Sequence, residues 1–195
     1  MIRAVVFDCF GVLVTEGWYA FRDTYFPVGA EDGRRAEALD LHRAANYGAI
    51  DYATFEREIA KLANIDVEEI RANLDNNQPN APLFAYITER LKPRYKIGML
   101  SNAADDWLEE LFTSDQRALF DAVVLSYEIR AAKPDARAYQ VIAERLGIAP
   151  EECVFVDDSE RFCAGAREQG MQAVWYQDFA SCKAELERIL ADSKN

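Results

Sequence analysis

Near its N-terminus the chain reads Ala4-Val5-Val6-Phe7-Asp8-Cys9-Phe10-Gly11-Val12-Leu13. The segment begins as an apolar run rich in β-branched residues and too short for a helix, which predicts a strand buried on both faces of a parallel sheet. The run ends at Asp8, and Gly11 can take the turn that follows. An acid at the carboxyl end of a central strand points into the crevice where open α/β sheets bind ligands. Because a lone buried carboxylate is costly without compensating groups, Asp8 is predicted to be functional.

Composition limits the classes of protein that the chain can represent. It has 195 residues, half of them hydrophobic, and a net charge of −12. That length suits one full core, or a core that carries an insertion. The acidic balance argues against nucleic acid or an anionic membrane as a partner. The sequence shows no signal-like or membrane-length apolar run, so we expect a cytosolic protein. We expect it to be a monomer or a homodimer.

The four cysteines lack the spacing of a metal-binding or redox motif. Buried, reduced thiols are therefore predicted, rather than disulfides or a zinc site. These residues are Cys9, Cys153, Cys163 and Cys182.

A long helical stretch separates the first strand from the rest of the sheet. Residues 31–47 form an amphipathic pattern, and Asp51 and Asp66 are suitable N-caps for two further helices. The polar segment 76–80 then breaks the pattern. We expect a helical insertion over residues 16–80 beside a core domain of residues 1–15 and 81–195.

From residue 82 onward the pattern alternates between helices and strands. Such alternation predicts an α/β fold, a Rossmann-like parallel sheet with helices on both faces. The later strands are predicted at 95–100, 122–125, 153–156 and 173–176, and the helices at 83–91, 106–112, 135–146, 160–169 and 179–190.

Polar residues follow the strands at corresponding positions. Asp8 follows the first strand, Ser101 the second, Lys133 lies in the loop after the third, and Asp157-Asp158 follow the fourth. Each group alone could be a helix cap or a solvated loop residue, but parallel strands bring all of them to one edge of the sheet. Carboxylates suit Mg²⁺, and an ammonium with a hydroxyl suits phosphoryl oxygens.

The order FDxxGV, then an apolar strand ending in SN, then KP, then an apolar strand ending in DDS, resembles the haloacid dehalogenase superfamily. It is most similar to the branch that holds small phosphatases, 2-haloacid dehalogenases and the phosphatase domain of soluble epoxide hydrolase. The resemblance covers essentially the whole chain. It implies that residues 16–80 are the helical cap of that branch, inserted after the first strand.

The resemblance also implies a Mg²⁺-dependent phosphatase that acts on a small phosphorylated metabolite. Asp8 would be the nucleophile that forms an aspartyl-phosphate. Ser101 and Lys133 would bind the phosphoryl group and steady its charge. Asn102 would help to position the substrate or the nucleophile.

The metal would be held by Asp8, Asp158 and the backbone carbonyl of Phe10, with Asp157 in support. Phosphatases of the family usually carry an aspartate at the position of Phe10, which acts as general acid and base. Its loss removes a group that typically contributes about 10²–10⁴-fold.

Phe10 keeps two alternatives open. One is a 2-haloacid dehalogenase, since the dehalogenases of the family also have an aromatic residue at that position. The other is a non-catalytic member of the family that binds a phosphorylated ligand or a protein. The pair Asp157-Asp158 favours metal-dependent phosphoryl chemistry, because dehalogenases usually replace the metal-binding acid with a neutral residue.

Substrate specificity in this branch comes from cap residues that face the crevice. The candidates are Trp18, Tyr19, Arg22, Arg43 and Tyr47. The single histidine, His42, is a candidate for the missing acid only if it reaches the site.

Overall fold

The computed structural model describes residues 1–15, 17–29, 33–46, 49–74, 77–103 and 105–193, without the side chains of Tyr19 and Asn46. Its centre is a five-stranded, all-parallel sheet in the order β3-β2-β1-β4-β5. The predicted α/β fold is therefore confirmed, and the first strand of the chain lies in the middle of the sheet. The strands are β1 Ala4–Phe7, β2 Lys96–Ser101, β3 Ala122–Leu125, β4 Cys153–Asp157 and β5 Gln172–Trp175.

The helices fall into two groups along the chain. The first group lies between β1 and β2 and comprises α1 Gly17–Tyr25, α2 Arg34–Asn46, α3 Tyr52–Ala63 and α4 Val67–Leu74. The others are α5 Ala81–Tyr86, which continues as a π-helical turn Ile87–Leu91, α6 Leu108–Leu111, α7 Ser114–Arg117, α8 Ser126–Ile129, α9 Ala136–Leu146, a 3₁₀ turn Pro150–Glu152, α10 Glu160–Glu168 and α11 Phe179–Asp192. None of the described helices is long and apolar enough to cross a membrane.

Helices cover both faces of the sheet, as predicted. Successive strand residues point to opposite faces, so Val5 and Phe7 belong to one hydrophobic cluster whereas Ala4 and Val6 belong to the other. The first cluster is completed by residues of α5 and α11, and the second by residues of α9 and α10. All four cysteines are buried, and none of them forms a disulfide bond, which confirms the prediction of reduced thiols.

A third hydrophobic cluster draws only on residues between 18 and 74, from α1 to α4 and the connections between them. Two segments join this region to the sheet, and they run side by side. Val14 pairs with Pro79, and the backbone N–H of Thr15 donates to the carbonyl of Gln78 at 3.0 Å. The division into a core of residues 1–15 and 81–195 and an insertion of residues 16–80 stays a prediction.

Some predicted boundaries differ from the structure. The helix predicted over residues 106–112 is only the single turn of α6, because the side chain of Asp106 accepts from the N–H of Leu108 at 3.0 Å and holds the preceding residues in a turn. The short helices α7 and α8 were not predicted. The outer ends of the helix predicted over 31–47 lie outside the described residues.

Candidate active site

Asp8 lies directly after β1, at the carboxyl edge of the sheet. Its backbone N–H donates to the carbonyl of Val156 in β4 at 2.8 Å, which extends the strand pairing by one residue. Its carboxylate Oδ1 accepts from the N–H of Cys9 at 2.7 Å. The residue is 7% exposed, so its carboxylate is largely removed from bulk water.

Lys133 provides a buried positive charge in the site. Its Nζ lies 2.7 Å from Oδ1 of Asp8 and 2.7 Å from Oδ2 of Asp157. Burial alone would lower the pKa of this lysine, but the two carboxylates raise it above its ordinary value. The ammonium is therefore protonated at neutral pH and bridges two acids that are far apart in sequence.

Asn102 shapes the loop that carries this lysine. Its Oδ1 accepts from the backbone N–H of Lys133 at 2.8 Å, and its Nδ2 donates to the carbonyl of the same residue at 3.2 Å. Both ends of the amide thus contact the backbone of Lys133. Any positioning by Asn102 acts at least in part through that loop.

Ser101 ends β2 beside the strand that carries Asp8. It is 1% exposed, and its Oγ has no hydrogen-bond partner among the described residues. A buried hydroxyl without a partner costs about 1–3 kcal/mol. The position is therefore suited to a ligand that supplies the missing hydrogen bond.

Three carboxylates converge at this edge of the sheet. Asp8, Asp157 and Asp158 each have a ligand atom within 4.8 Å of the others. Oδ1 of Asp157 accepts from the N–H of Ser159 at 2.8 Å. Gly11, with φ +83°, lies so close to the Asp158 carboxylate that a Cβ there would overlap it. The loop after β1 is therefore built around the Asp158 side chain.

The donor set fits a divalent cation. Burial first, and then the charge of Asp157, raise the pKa of Asp8 well above its ordinary value, although Lys133 opposes them. Three carboxylates lie close together around the buried ammonium of Lys133, and hard oxygen ligands are those that Mg²⁺ prefers. A bound cation would lower the pKa of Asp8 again.

The acids open into a cavity of about 640 Å³ that reaches the helical region. Trp18, Arg22, His42 and Arg43 line it together with Asp8, Phe10, Ser101, Asn102, Lys133 and Asp158. Arg22 makes a bidentate contact with Asp23 at 2.8 and 2.9 Å, and Arg43 lies 3.1 Å from Asp40. Tyr47 and the side chain of Tyr19 lie outside what the structure describes.

His42 belongs to the aromatic side of the cavity. Its ring stacks on Trp18, with centroids 4.5 Å apart and planes 13° apart. Burial, and to a lesser extent Arg22, lower its pKa to about 4. The imidazole is therefore neutral at neutral pH.

Sequence reasoning missed several residues that line the cavity. The ring of Phe10 packs edge-on against Trp107, with centroids 4.9 Å apart. Asp105, Glu110, Arg161 and Phe162 also line it. The available signal was position alone. Trp107 lies in the loop after β2, and Arg161 lies in the first turn of the helix after β4, so both are at the carboxyl edge of the sheet.

Comparison with known proteins places the chain in a family. A family model of haloacid dehalogenase-like hydrolases matches residues 2–170. Phosphatase MT3486 of Mycobacterium tuberculosis is 53% identical, over 88% of this chain and 86% of its own. (S)-2-haloacid dehalogenase 4A of Burkholderia cepacia is 29% identical, over 89% of this chain and 82% of its own.

A solved structure supports the same assignment. The structure of a haloacid dehalogenase (HAD) family enzyme of Bacteroides thetaiotaomicron, in complex with magnesium and inorganic phosphate, superposes on this chain with a TM-score of 0.70. It is 25% identical and covers 91% of this chain and 95% of its own. The chain therefore belongs to the haloacid dehalogenase-like hydrolase family, as its motifs predicted.

Proposed function

We propose that the protein is a Mg²⁺-dependent phosphatase that hydrolyses a small phosphomonoester through an aspartyl-phosphate. The observation that carries the proposal is the Lys133 ammonium, 2.7 Å from both Asp8 and Asp157, beside a third carboxylate on Asp158. The similarity to a mycobacterial phosphatase and to a family enzyme with bound magnesium and phosphate agrees with it.

In this proposal a carboxylate oxygen of Asp8 attacks phosphorus. The bond between phosphorus and the ester oxygen breaks, and its electron pair leaves with that oxygen. Water then attacks the phosphorus of the aspartyl-phosphate, which releases inorganic phosphate and restores the Asp8 carboxylate.

Ser101 and Lys133 bind the phosphoryl group in the proposed reaction. The Ser101 hydroxyl, without a partner among the described residues, donates to a phosphoryl oxygen. Lys133 offsets the charge of the group while it holds the orientation of Asp8.

Mg²⁺ would be held by Asp8, Asp158 and the backbone carbonyl of Phe10, and when bound it would neutralise charge on the transferred group. Asp157 supports this arrangement by fixing Lys133. We further propose that residues 16–80 act as a cap, since residues from this region and from the sheet edge line one cavity.

A second candidate is a 2-haloacid dehalogenase. It is favoured by the aromatic side chain of Phe10 and by the 29% identical dehalogenase. The three clustered carboxylates count against it, because without a metal they would repel one another.

The deciding experiment measures phosphate release from p-nitrophenyl phosphate with Mg²⁺ or with EDTA, and halide release from chloroacetate. Mg²⁺-dependent phosphate release supports the proposal. Halide release at the same rate with and without EDTA supports the dehalogenase. The absence of both phosphate and halide release supports a non-catalytic binding protein.

A further inference from the structure

The cavity beside Asp8 has an aromatic wall where a leaving group would lie. Phe10, two residues after Asp8, and Trp107 are both partly buried and both line the cavity. Their rings meet edge to face at 4.9 Å. Such a pair presents one ring face and one ring edge, against which a further aromatic ring can stack or pack edge-on.

The helical region also lines the cavity with aromatic residues. Trp18, His42, Tyr52 and Phe55 line the cavity from the helical region, and Trp18 contacts both His42 and Phe55. His42 is neutral at neutral pH because its pKa is lowered to about 4. These four residues therefore offer rings rather than charge.

The cations on the same side are already engaged. Arg22 is paired with Asp23, and Arg43 lies beside Asp40. Near Trp107 the exposed acids Asp105 and Glu110 line the rim. A substrate that carries a further negative charge on its leaving group would meet like charge beside these two acids, whereas the exposed Arg161 lines the cavity near Asp158.

The chemistry of Phe10 points in the same direction. Phenylalanine supplies no proton to the ester oxygen, so the leaving oxygen departs as an anion and takes its proton from water afterwards. An aryl oxide is a far weaker base than an alkoxide, so it departs more readily without that proton. The missing acid is worth about 10²–10⁴-fold when the leaving group needs it.

We propose that the substrates are aryl phosphomonoesters, with the leaving ring held between the Phe10–Trp107 pair and the aromatic rings of the helical region. This inference rests on the proposed phosphatase function and adds the substrate class. In the reaction the bond between phosphorus and the aryl oxygen breaks while the Asp8 oxygen bonds to phosphorus, and the ring leaves as an aryl oxide.

The test separates recognition of the ring from acidity of the leaving group. The value of kcat/KM is measured for phenyl phosphate, for acetyl phosphate, and for a fluorinated alkyl phosphate whose alcohol is about as acidic as phenol. We expect phenyl phosphate to exceed the fluorinated alkyl ester by about two- to tenfold, as one aromatic contact implies.

Trp107→Leu is the informative variant. It should lower the ratio of kcat/KM for phenyl phosphate to kcat/KM for acetyl phosphate by about two- to tenfold. The matched control is Phe179→Leu, a partly buried aromatic residue of the same hydrophobic cluster that does not line the cavity. It should leave both substrates unchanged.

Binding of non-hydrolysable analogues gives a readout without turnover. Calorimetry should show phenylphosphonate binding about two- to tenfold more tightly than methylphosphonate, with the difference lost in Trp107→Leu. Equal affinities, or hydrolysis of both acidic esters at the same rate, would overturn this inference and leave the proposed function standing. Absence of phosphate release from all three substrates would overturn both.

Discussion

Replacing Lys133 with methionine should destabilise the protein strongly in the absence of metal. Methionine is close to lysine in length but carries no charge, so Asp8 and Asp157 would face each other without the ammonium between them. The change therefore tests whether this lysine compensates the buried acids.

The size of the effect follows from burial and geometry. Lys133 is 1% exposed, and each carboxylate lies 2.7 Å from its Nζ. Removal of one partner from a buried ion pair costs about 3–5 kcal/mol, because the remaining charge is left uncompensated. At about 2–4 °C per kcal/mol for a chain of this size, the melting temperature should fall by roughly 6–20 °C.

The loss of stability caused by Lys133→Met should become smaller as the pH falls. In the wild type the pKa of Lys133 is raised, so its stabilising effect is complete at neutral pH and is lost only as the solution becomes strongly alkaline. In Lys133→Met the pKa of Asp8 should rise further, because the lysine that lowered it is gone. The variant should therefore recover stability relative to the wild type as the pH falls and that carboxylate is protonated.

The assay is urea denaturation with EDTA present, for Lys133→Met and for Lys183→Met as the control. Lys183 is a half-buried lysine whose Nζ lies 4.0 Å from the Glu187 carboxylate and 5.8 Å from the centre of the Tyr86 ring, so its replacement should cost less than about 1 kcal/mol. Adding Asp157→Asn to Lys133→Met should restore part of the loss, since one uncompensated charge is removed. A loss below about 1 kcal/mol for Lys133→Met, or no recovery in the double variant, would refute the reasoning.

Three further predictions concern other residues of the cavity. Asp158→Ala should weaken Mg²⁺ binding at least about tenfold by calorimetry, because a carboxylate ligand is lost; EDTA without effect on wild-type activity would contradict the metal assignment. Phe10→Asp should raise kcat/KM on alkyl phosphates by up to about 10²-fold and on aryl phosphates much less, since it supplies a proton donor; an equal change on both would contradict this. His42→Phe should remove a loss of stability that the wild type shows between pH 6.5 and about 4. In that pH range the unfolded chain protonates His42 before the folded protein does, and the resulting loss in the free energy of unfolding is up to about 3 kcal/mol at 1.36 kcal/mol per pH unit. Identical pH–stability curves for the two proteins would contradict this prediction.

The strands and the central acid could be predicted because their signals are local. β1 and β4 are unbroken apolar runs that end in acids, and each lies buried within the sheet. Parallel pairing then brings Asp8 and Asp157 to the same edge, whatever the length of chain between them.

Contacts between loops could not be predicted in the same way. The pairing of Phe10 with Trp107 depends on the turn at residues 105–107, which Asp106 holds through its own side chain. The two hydrogen bonds between Asn102 and the backbone of Lys133 likewise depend on loop shape. A sequence pattern carries no direct signal for such distances.

The helical region shows the same limit. Its apolar spacing predicted helices, and α3 begins after Asp51, whose carboxylate accepts from the N–H of Thr54. The pairing of Arg35 with Asp23 and the stacking of His42 on Trp18 depend on how α1 and α2 pack. Candidate substrate contacts could therefore be named from sequence, but not their partners.

The central claim is that Asp8 itself receives the phosphoryl group, and one measurement tests it directly. The enzyme reacts for a single turnover with Mg²⁺ and an aryl phosphate that is radiolabelled at phosphorus, and the reaction is quenched in acid. The protein is then digested, and the labelled peptide is identified. We predict label on the peptide that contains Asp8, lost in Asp8→Asn, a variant that keeps the shape of the side chain but not its nucleophilic carboxylate. Label on a different peptide, or phosphate release by Asp8→Asn at the wild-type rate, would contradict it.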